Sequence, residues 1–201
     1  MPREQIPGWD PIVQLYKDWV QTPPRHGAVV VEVGVAIGRS ISWIADWCIA
    51  NDRRDIEVWA VDPWESSQPG NVRNGEQMEL SPDAGGDLTL YFKVLSMYDP
   101  KALEFIRPIR TVSKRACRMF PDHSVDLAVI DGDHSYEGCL SDIQDWLPRI
   151  RPGGTIGGDD HHETDWPGVV RACQESFPDA YEIIRSANGW PSGHIWRKRV
   201  T

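Results

Sequence analysis

Val29-Val30-Val31-Glu32-Val33-Gly34-Val35-Ala36-Ile37-Gly38 places an apolar run, broken by one acid, directly before a glycine turn. Runs of this kind form strands covered on both faces. Beyond the turn, Ile41, Ile44, Ala45, Cys48 and Ile49 recur at helical spacing and predict a helix over residues 39 to 50. The same alternation continues along the chain. Val58 to Val61 reads as a second buried strand ending in Asp62-Pro63, Ile109 to Val112 as a third, Val125 to Ile130 as a fourth and Gly154 to Gly158 as a fifth. Helical pieces are expected over Leu88 to Leu95, Lys101 to Ile106 and Lys114 to Phe120, and a helix over Trp166 to Phe177. Leu140, Ile143, Trp146, Leu147 and Ile150 mark an amphipathic helix over residues 136 to 150, stopped by Pro152-Gly153-Gly154. Tyr181 to Ile184 and His194 to Lys198, separated by Asn188-Gly189, read as a closing antiparallel pair. In front, residues 9 to 21 form a leading helix with Ile12, Leu15, Tyr16 and Trp19 on one face, ended by Pro23-Pro24. Strand and helix in alternation mean an α/β fold with a parallel sheet and helices on both faces.

The bulk properties narrow the function. At 201 residues one domain is expected over the whole chain, with residues 1–26 as an N-terminal helical lid. Residues 65 to 86 are rich in Gly, Pro, Ser and Asn, and loops of that length are commonly functional. The region 65–100 is therefore expected to be an insertion that helps to choose the substrate. A net charge of -9 argues against a general nucleic-acid binder, which carries a basic face. No apolar run reaches the roughly 20 residues of a membrane helix, and Met1 to Gln5 opens no signal peptide. Cys48, Cys117, Cys139 and Cys173 form no C-x-x-C pair, which fits small buried hydrophobes in a reducing cytoplasm. Of the tryptophans, Trp64 and Trp190 are candidates to line a pocket. Whether the chain forms a homo-oligomer stays open.

The turn and its neighbours carry binding chemistry. Gly34 allows close approach to the backbone, and Gly38 leads into a helix N-terminus. Ala36 breaks the dinucleotide pattern G-x-G-x-x-G, which argues against a nicotinamide oxidoreductase. An acid such as Glu32 ahead of the first glycine suits an ammonium group better than a pyrophosphate. Asp62, directly after the second strand, stands where nucleoside-binding α/β folds hold ribose hydroxyls.

Two further acidic clusters follow buried strands. These are Asp131-Gly132-Asp133-His134 and Asp159-Asp160-His161-His162. Carboxylates crowded at neighbouring strand ends repel, and the crowding is tolerated when a cation or a shared proton lies among them. An oxygen-rich metal site beside a histidine is the expectation. Asp133 is read as a cap of the following helix, with Ser135 as the other candidate, while His161 and His162 are weaker candidates for substrate contact.

Taken together, these segments resemble class I S-adenosylmethionine-dependent methyltransferases along nearly the whole chain. Val29 to Gly38 resembles their first motif, and Val61-Asp62-Pro63-Trp64 their acidic second motif. Val125 to Glu137 and Ile150 to Asp160 are similar to their fourth and fifth strand regions. The form Ile130-Asp131-Gly132-Asp133-His134-Ser135-Tyr136 resembles the subgroup of macrolide-sugar O-methyltransferases and cephalosporin hydroxylase-like proteins. The resemblance implies a three-layer Rossmann-like sandwich around a seven-stranded, mostly parallel sheet whose last strand is antiparallel. It implies that Glu32, Gly34 and Gly38 hold the methionine end of S-adenosylmethionine, Asp62 the ribose, and Ser113 with Lys114 the adenine edge. It also implies that Asp131, Asp159 and Asp160 bind Mg²⁺, with His134 as the base that deprotonates a hydroxylated small molecule. Hard oxygen ligands suit Mg²⁺, Mn²⁺ or Ca²⁺ over zinc. In a metal-free site Asp131 would instead orient the methionine end or the substrate. The competing readings are a metal-free methyltransferase or hydroxylase-like enzyme on this scaffold, and a non-catalytic cofactor-binding protein.

Overall fold

In the computed structural model, the described residues are 6, 11–22, 24–64, 72–73, 76–77, 89, 92, 96, 101–185 and 194–201. Seven strands form one sheet. They are β1 (Val29–Val33), β2 (Glu57–Asp62), β3 (Ile106–Arg110), β4 (Val125–Ile130), β5 (Ile150–Gly158), β6 (Glu182–Arg185) and β7 (His194–Arg199). Their spatial order is β3-β2-β1-β4-β5-β7-β6. β7 runs antiparallel to both β5 and β6, whereas β1 pairs in parallel with β2 and β4, and β5 pairs in parallel with β4. This is the mostly parallel sheet with an antiparallel last strand that the sequence implied.

Helices cover both faces, which is why β4 is buried at every position. On one face lie α1 (Val13–Gln21), α2 (Arg39–Ala50) and α3 (Ala102–Phe105). They pack Leu15, Tyr16, Ile41, Ile44 and Phe105 against Val30, Val58 and Leu127. On the other face lie α4 (Ser113–Ala116), α5 (Tyr136–Trp146) and α6 (Pro167–Ser176). There Cys139, Ile143, Trp146 and Val169 meet Val31, Ala128 and Ile156. All four cysteines are buried and free, as expected of small core hydrophobes. No helix among the described residues is long and apolar enough to cross a membrane.

Several boundaries differ from the sequence expectation, and the helix expected over residues 136 to 150 ends at Trp146. The leading helix begins at Val13, after a turn at Pro11-Ile12. The third strand begins at Ile106, because Pro108 sits in a strand at the sheet edge, where its missing N–H is tolerated. β5 reaches back to Ile150, because Pro152-Gly153-Gly154, expected to stop a helix, forms an irregularity within the strand. Beside that irregularity, buried Asp126 accepts hydrogen bonds from Arg25 at 2.9 Å, from the Val29 amide at 2.8 Å and from Arg151. The insertion at 65–100 lies outside the described residues, apart from a short ladder of Val72–Arg73 with Glu76–Gln77 and helical positions 89, 92 and 96. Trp190 also lies outside them.

Register aligns the strand ends. Val33 is level with Val61 and Ile130, and Ile130 is level with Gly158. The residues that follow, Gly34, Asp131 and Asp159, therefore leave the sheet at one edge, with Asp62 closing β2 beside them. Chain order reverses between β1 and β4, and open α/β sheets bind their ligands at the carboxyl edge beside such a reversal.

Candidate active site

The β1–α2 loop is shaped by left-handed residues. Gly34 has φ +84°, Ala36 φ +50° and Gly38 φ +89°. A Cβ at Gly34 would lie 2.0 Å from the carbonyl oxygen of Asp131. The close approach at Gly34 is thus the chain's own, with the β4 loop pressed against the β1 loop. Asp131 is fixed further by its amide, which donates to Val33 at 2.8 Å.

Asp62 secures this loop from below. Its carboxylate accepts the Ala36 amide at 2.9 Å and the Trp64 amide at 2.6 Å. Burial raises its pKa against the pull of these amides. Trp64, a candidate to line a pocket, is buried and donates its indole N–H to the Ala36 carbonyl at 2.7 Å, so it braces the loop. Ser113 accepts the Trp146 indole N–H at 2.9 Å and hydrogen-bonds Asp142. Buried Asp142 has its pKa pushed up to about 7 by desolvation, against that bond.

Glu32 is fully buried. Tyr16 of α1 donates its hydroxyl to Oε2, and Ser40 in the first turn of α2 donates to Oε1 at 2.5 Å. Desolvation pushes the Glu32 pKa up to about 8, outweighing the two hydroxyl bonds. Neither Tyr16 nor Ser40 was singled out from the sequence. The available signal was Ser40 and Ser42, two hydroxyls on the otherwise apolar buried face of α2.

The acidic clusters converge on His134. Its Nε2 lies 2.9 Å from Asp160 and 3.3 Å from Asp131. One ligand atom from each of Asp131, His134 and Asp160 falls within 4.8 Å of the others. Burial acts to lower the pKa of His134, but hydrogen bonds to Asp131 and Asp160 and their charges win and hold it well above the usual value. Burial raises Asp131 as well. The indole of Trp166, from the segment leading into α6, packs on the imidazole with ring centroids 4.7 Å apart. Trp166 also escaped the sequence reading, since nothing local distinguishes it from the other tryptophans.

Asp159 differs from its expected place as an equal ligand. Among the described residues it is not part of the cluster, and its buried carboxylate accepts the Asp160 amide at 2.8 Å. Asp160 itself has a left-handed backbone, with φ +61°. Burial, then the charges of Asp131 and Asp160, raise the Asp159 pKa well above normal. Ser135 caps α5 by accepting the Gly138 amide at 3.0 Å. Asp133, the expected cap, instead accepts the Ser135 amide at 2.8 Å in the preceding turn. His161 is buried against Tyr181, 2.9 Å from its hydroxyl, and His162 accepts the Asp165 amide at 3.1 Å.

These groups set a pH dependence of stability. Glu32, Asp142 and Asp159 keep their protons in the fold above the pH at which the unfolded chain releases them. Their stabilising effect is present at low pH and is lost as pH rises through the raised values. The raised His134 acts in the same direction above its unfolded value near 6.5. Thermal scans without divalent cation should therefore give a Tm at least roughly 5 °C lower at pH 8.5 than at pH 5.5. Glu32→Gln should flatten that slope, and a Tm that rises over this range would contradict the assignment.

A sequence profile described as "Methyltransferase domain" matches residues 31–161. A curated protein of Sinorhizobium fredii (strain NBRC 101917 / NGR234), "Uncharacterized protein y4gI", is 25% identical over 127 residues, 63% of this chain. The chain spans only 12% of that relative's length. Among solved structures, the O-methyltransferase NovP is similar with a TM-score of 0.70 at 21% identity, over 94% of this chain and 78% of that one. The calicheamicin methyltransferase CalS11 gives 0.66 at 17% identity, over 92% and 76% of the two chains. SMU.1697c from Streptococcus mutans, solved in complex with SAH, gives 0.59 at 10% identity, over 95% and 98%.

Proposed function

We propose, for a chain that belongs to the methyltransferase-domain family, that it transfers the methyl group of S-adenosylmethionine to a hydroxyl of a small molecule, assisted by a divalent cation. The observation that carries this reading is the Asp131–His134–Asp160 cluster, set beside the glycine loop and Asp62 on one sheet edge. The acceptor class is a sugar, a catechol-like compound or another hydroxylated natural product. NovP and CalS11, a TDP-rhamnose 3'-O-methyltransferase, support that class by fold. The acidic chain with four free thiols suits the cytoplasm.

The roles follow from position. Glu32 with Ser40 faces the methionine end, while Gly34 and Gly38 shape the loop around it. Asp62 stands at the ribose and Ser113 at the adenine edge. The donor set fits a divalent cation. Asp131 and Asp160 would hold it, with the buried carboxyl of Asp159 close behind them. Such a cation would orient the acceptor oxygen, lower its pKa and offset the charges that keep His134 protonated. His134 Nε2 takes the hydroxyl proton while Trp166 fixes the ring against tilting. The acceptor oxygen forms its bond to the methyl carbon as the carbon–sulfur bond breaks. The sulfonium is already an activated leaving group, so the chain's main tasks are positioning and deprotonation.

Isothermal titration with S-adenosylmethionine tests the premise, and absence of binding refutes it. Methyl transfer to a panel of sugars and catechols should require Mg²⁺ or Mn²⁺ and stop in EDTA. Activity retained in EDTA would favour the metal-free reading, in which the His134 proton alone bridges the two carboxylates.

A further inference from the structure

The structure poses a problem for Glu32. The acid suited to a ligand's ammonium group is wholly inaccessible, with Oε2 taken by the Tyr16 hydroxyl. A group that is merely structural has no need of a carboxylate here. Its hydrogen-bond partners among the described residues are neutral hydroxyls, which a glutamine amide would satisfy without a titrating group. The residue that closes the site comes from α1, outside the strand–helix repeat that builds the rest of the edge. Tyr16 stacks on Trp43 with ring centroids 6.5 Å apart and planes 6° apart. Leu15 lies against the backbone of Gly157, and Asp18 pairs with Arg197 of β7 at 2.7 Å. α1 thus spans β1, β5 and β7 as a strap, tied to β7 through Asp18 and to Glu32 through the Tyr16 hydroxyl.

We propose that Tyr16 is the gate of the cofactor pocket. Its hydroxyl occupies the Glu32 oxygen that the amino group of S-adenosylmethionine takes, so binding proceeds by exchange of one donor for the other. The gate rests on reading Glu32 as the acceptor for that amino group. Exchange has a specific consequence. Removing the Tyr16 hydroxyl weakens the closed arrangement and leaves the ligand-bound one nearly untouched, so affinity rises. A residue that contacts the ligand directly, or one that only supports the fold, would lower affinity on substitution or leave it unchanged.

The test is titration calorimetry of wild type and Tyr16→Phe with three ligands. S-adenosylmethionine and S-adenosylhomocysteine carry the amino group, and 5'-methylthioadenosine does not. Tyr16→Phe should bind the first two about 2- to 10-fold more tightly, the range that one net hydrogen bond is worth, and 5'-methylthioadenosine unchanged. Unchanged or weaker binding of the first two, or an equal shift for all three, overturns the gate and leaves the cofactor assignment standing. Failure of wild type to bind any of them overturns both. Should Tyr16→Phe fail to fold, hydrogen exchange of wild type decides. S-adenosylhomocysteine should alter exchange across residues 13–21 and 5'-methylthioadenosine should not. Identical exchange with both ligands overturns the gate.

Discussion

His134→Ala lowers kcat for methyl transfer by about 10²- to 10⁴-fold, the usual contribution of a positioned general base. The affinity for S-adenosylmethionine should stay within a few-fold of wild type, because the proposed function puts His134 on the acceptor side of the edge and Glu32 and Asp62 on the cofactor side. The expectation rests on where Nε2 sits, between Asp131 and Asp160 at 3.3 and 2.9 Å, under the ring of Trp166. Loss of the imidazole removes the proposed proton acceptor and leaves Asp131 and Asp160 without the ring that lies against both. Steady-state kinetics with saturating cation, alongside titration of the cofactor, separates the two effects. Equal losses in kcat and in cofactor affinity would mean that His134 organises the whole edge and is not the base.

Among the described glycines, Gly34→Ala should be the most damaging substitution. The added Cβ would lie 2.0 Å from the carbonyl oxygen and 2.4 Å from the carbonyl carbon of Asp131, and backbone cannot turn aside as a side-chain tip can. The left-handed φ of +84° adds its own penalty for a residue with a Cβ. Overpacking and strain together come to about 3 kcal/mol or more. For a chain of this size that corresponds to a fall in Tm of roughly 6–12 °C. Activity should fall further than stability alone explains, because the displaced backbone is that of Asp131. A thermal scan showing less than about 1 kcal/mol of destabilisation would contradict the contact.

Most of the scaffold could be read from periodicity. Continuous apolar runs such as Val125 to Ile130 announce strands covered on both faces, and helix 39 to 50 begins and ends where its apolar spacing does. The strand boundaries that shifted furthest are those where Pro and Gly act in a strand and not at its end. Pro108 is accommodated by an edge, and Gly153 and Gly154 by an irregularity, and neither circumstance is visible before the sheet is assembled. In the site, sequence brought Asp131, His134 and Asp160 to the same edge, because acids directly after strands have little freedom in where they emerge. It could not separate Asp159 from Asp160, since two adjacent acids look alike in sequence and only the assembled fold shows which carboxylate lies against His134. Tyr16 and Trp166 stayed hidden because their importance lies in contacts with β1 and with the β4 loop, distant in sequence.

β4 carries an acid at each end, and the two live under opposite regimes. Asp126, at its start, is neutralised by the chain's own Arg25 and Arg151, whereas Asp131, just past its end, stands beside His134 among the further acids Asp160, Asp159, Asp62 and Glu32. The separation is roughly 16 Å along an extended strand, far enough for changes at the two ends to contribute independently. One strand therefore works as a partition between durability and chemistry. Variation in acceptor preference can accumulate at its upper end while the lower end keeps the molecule folded, and an engineer may reinforce the foot of β4 without retuning the site above it.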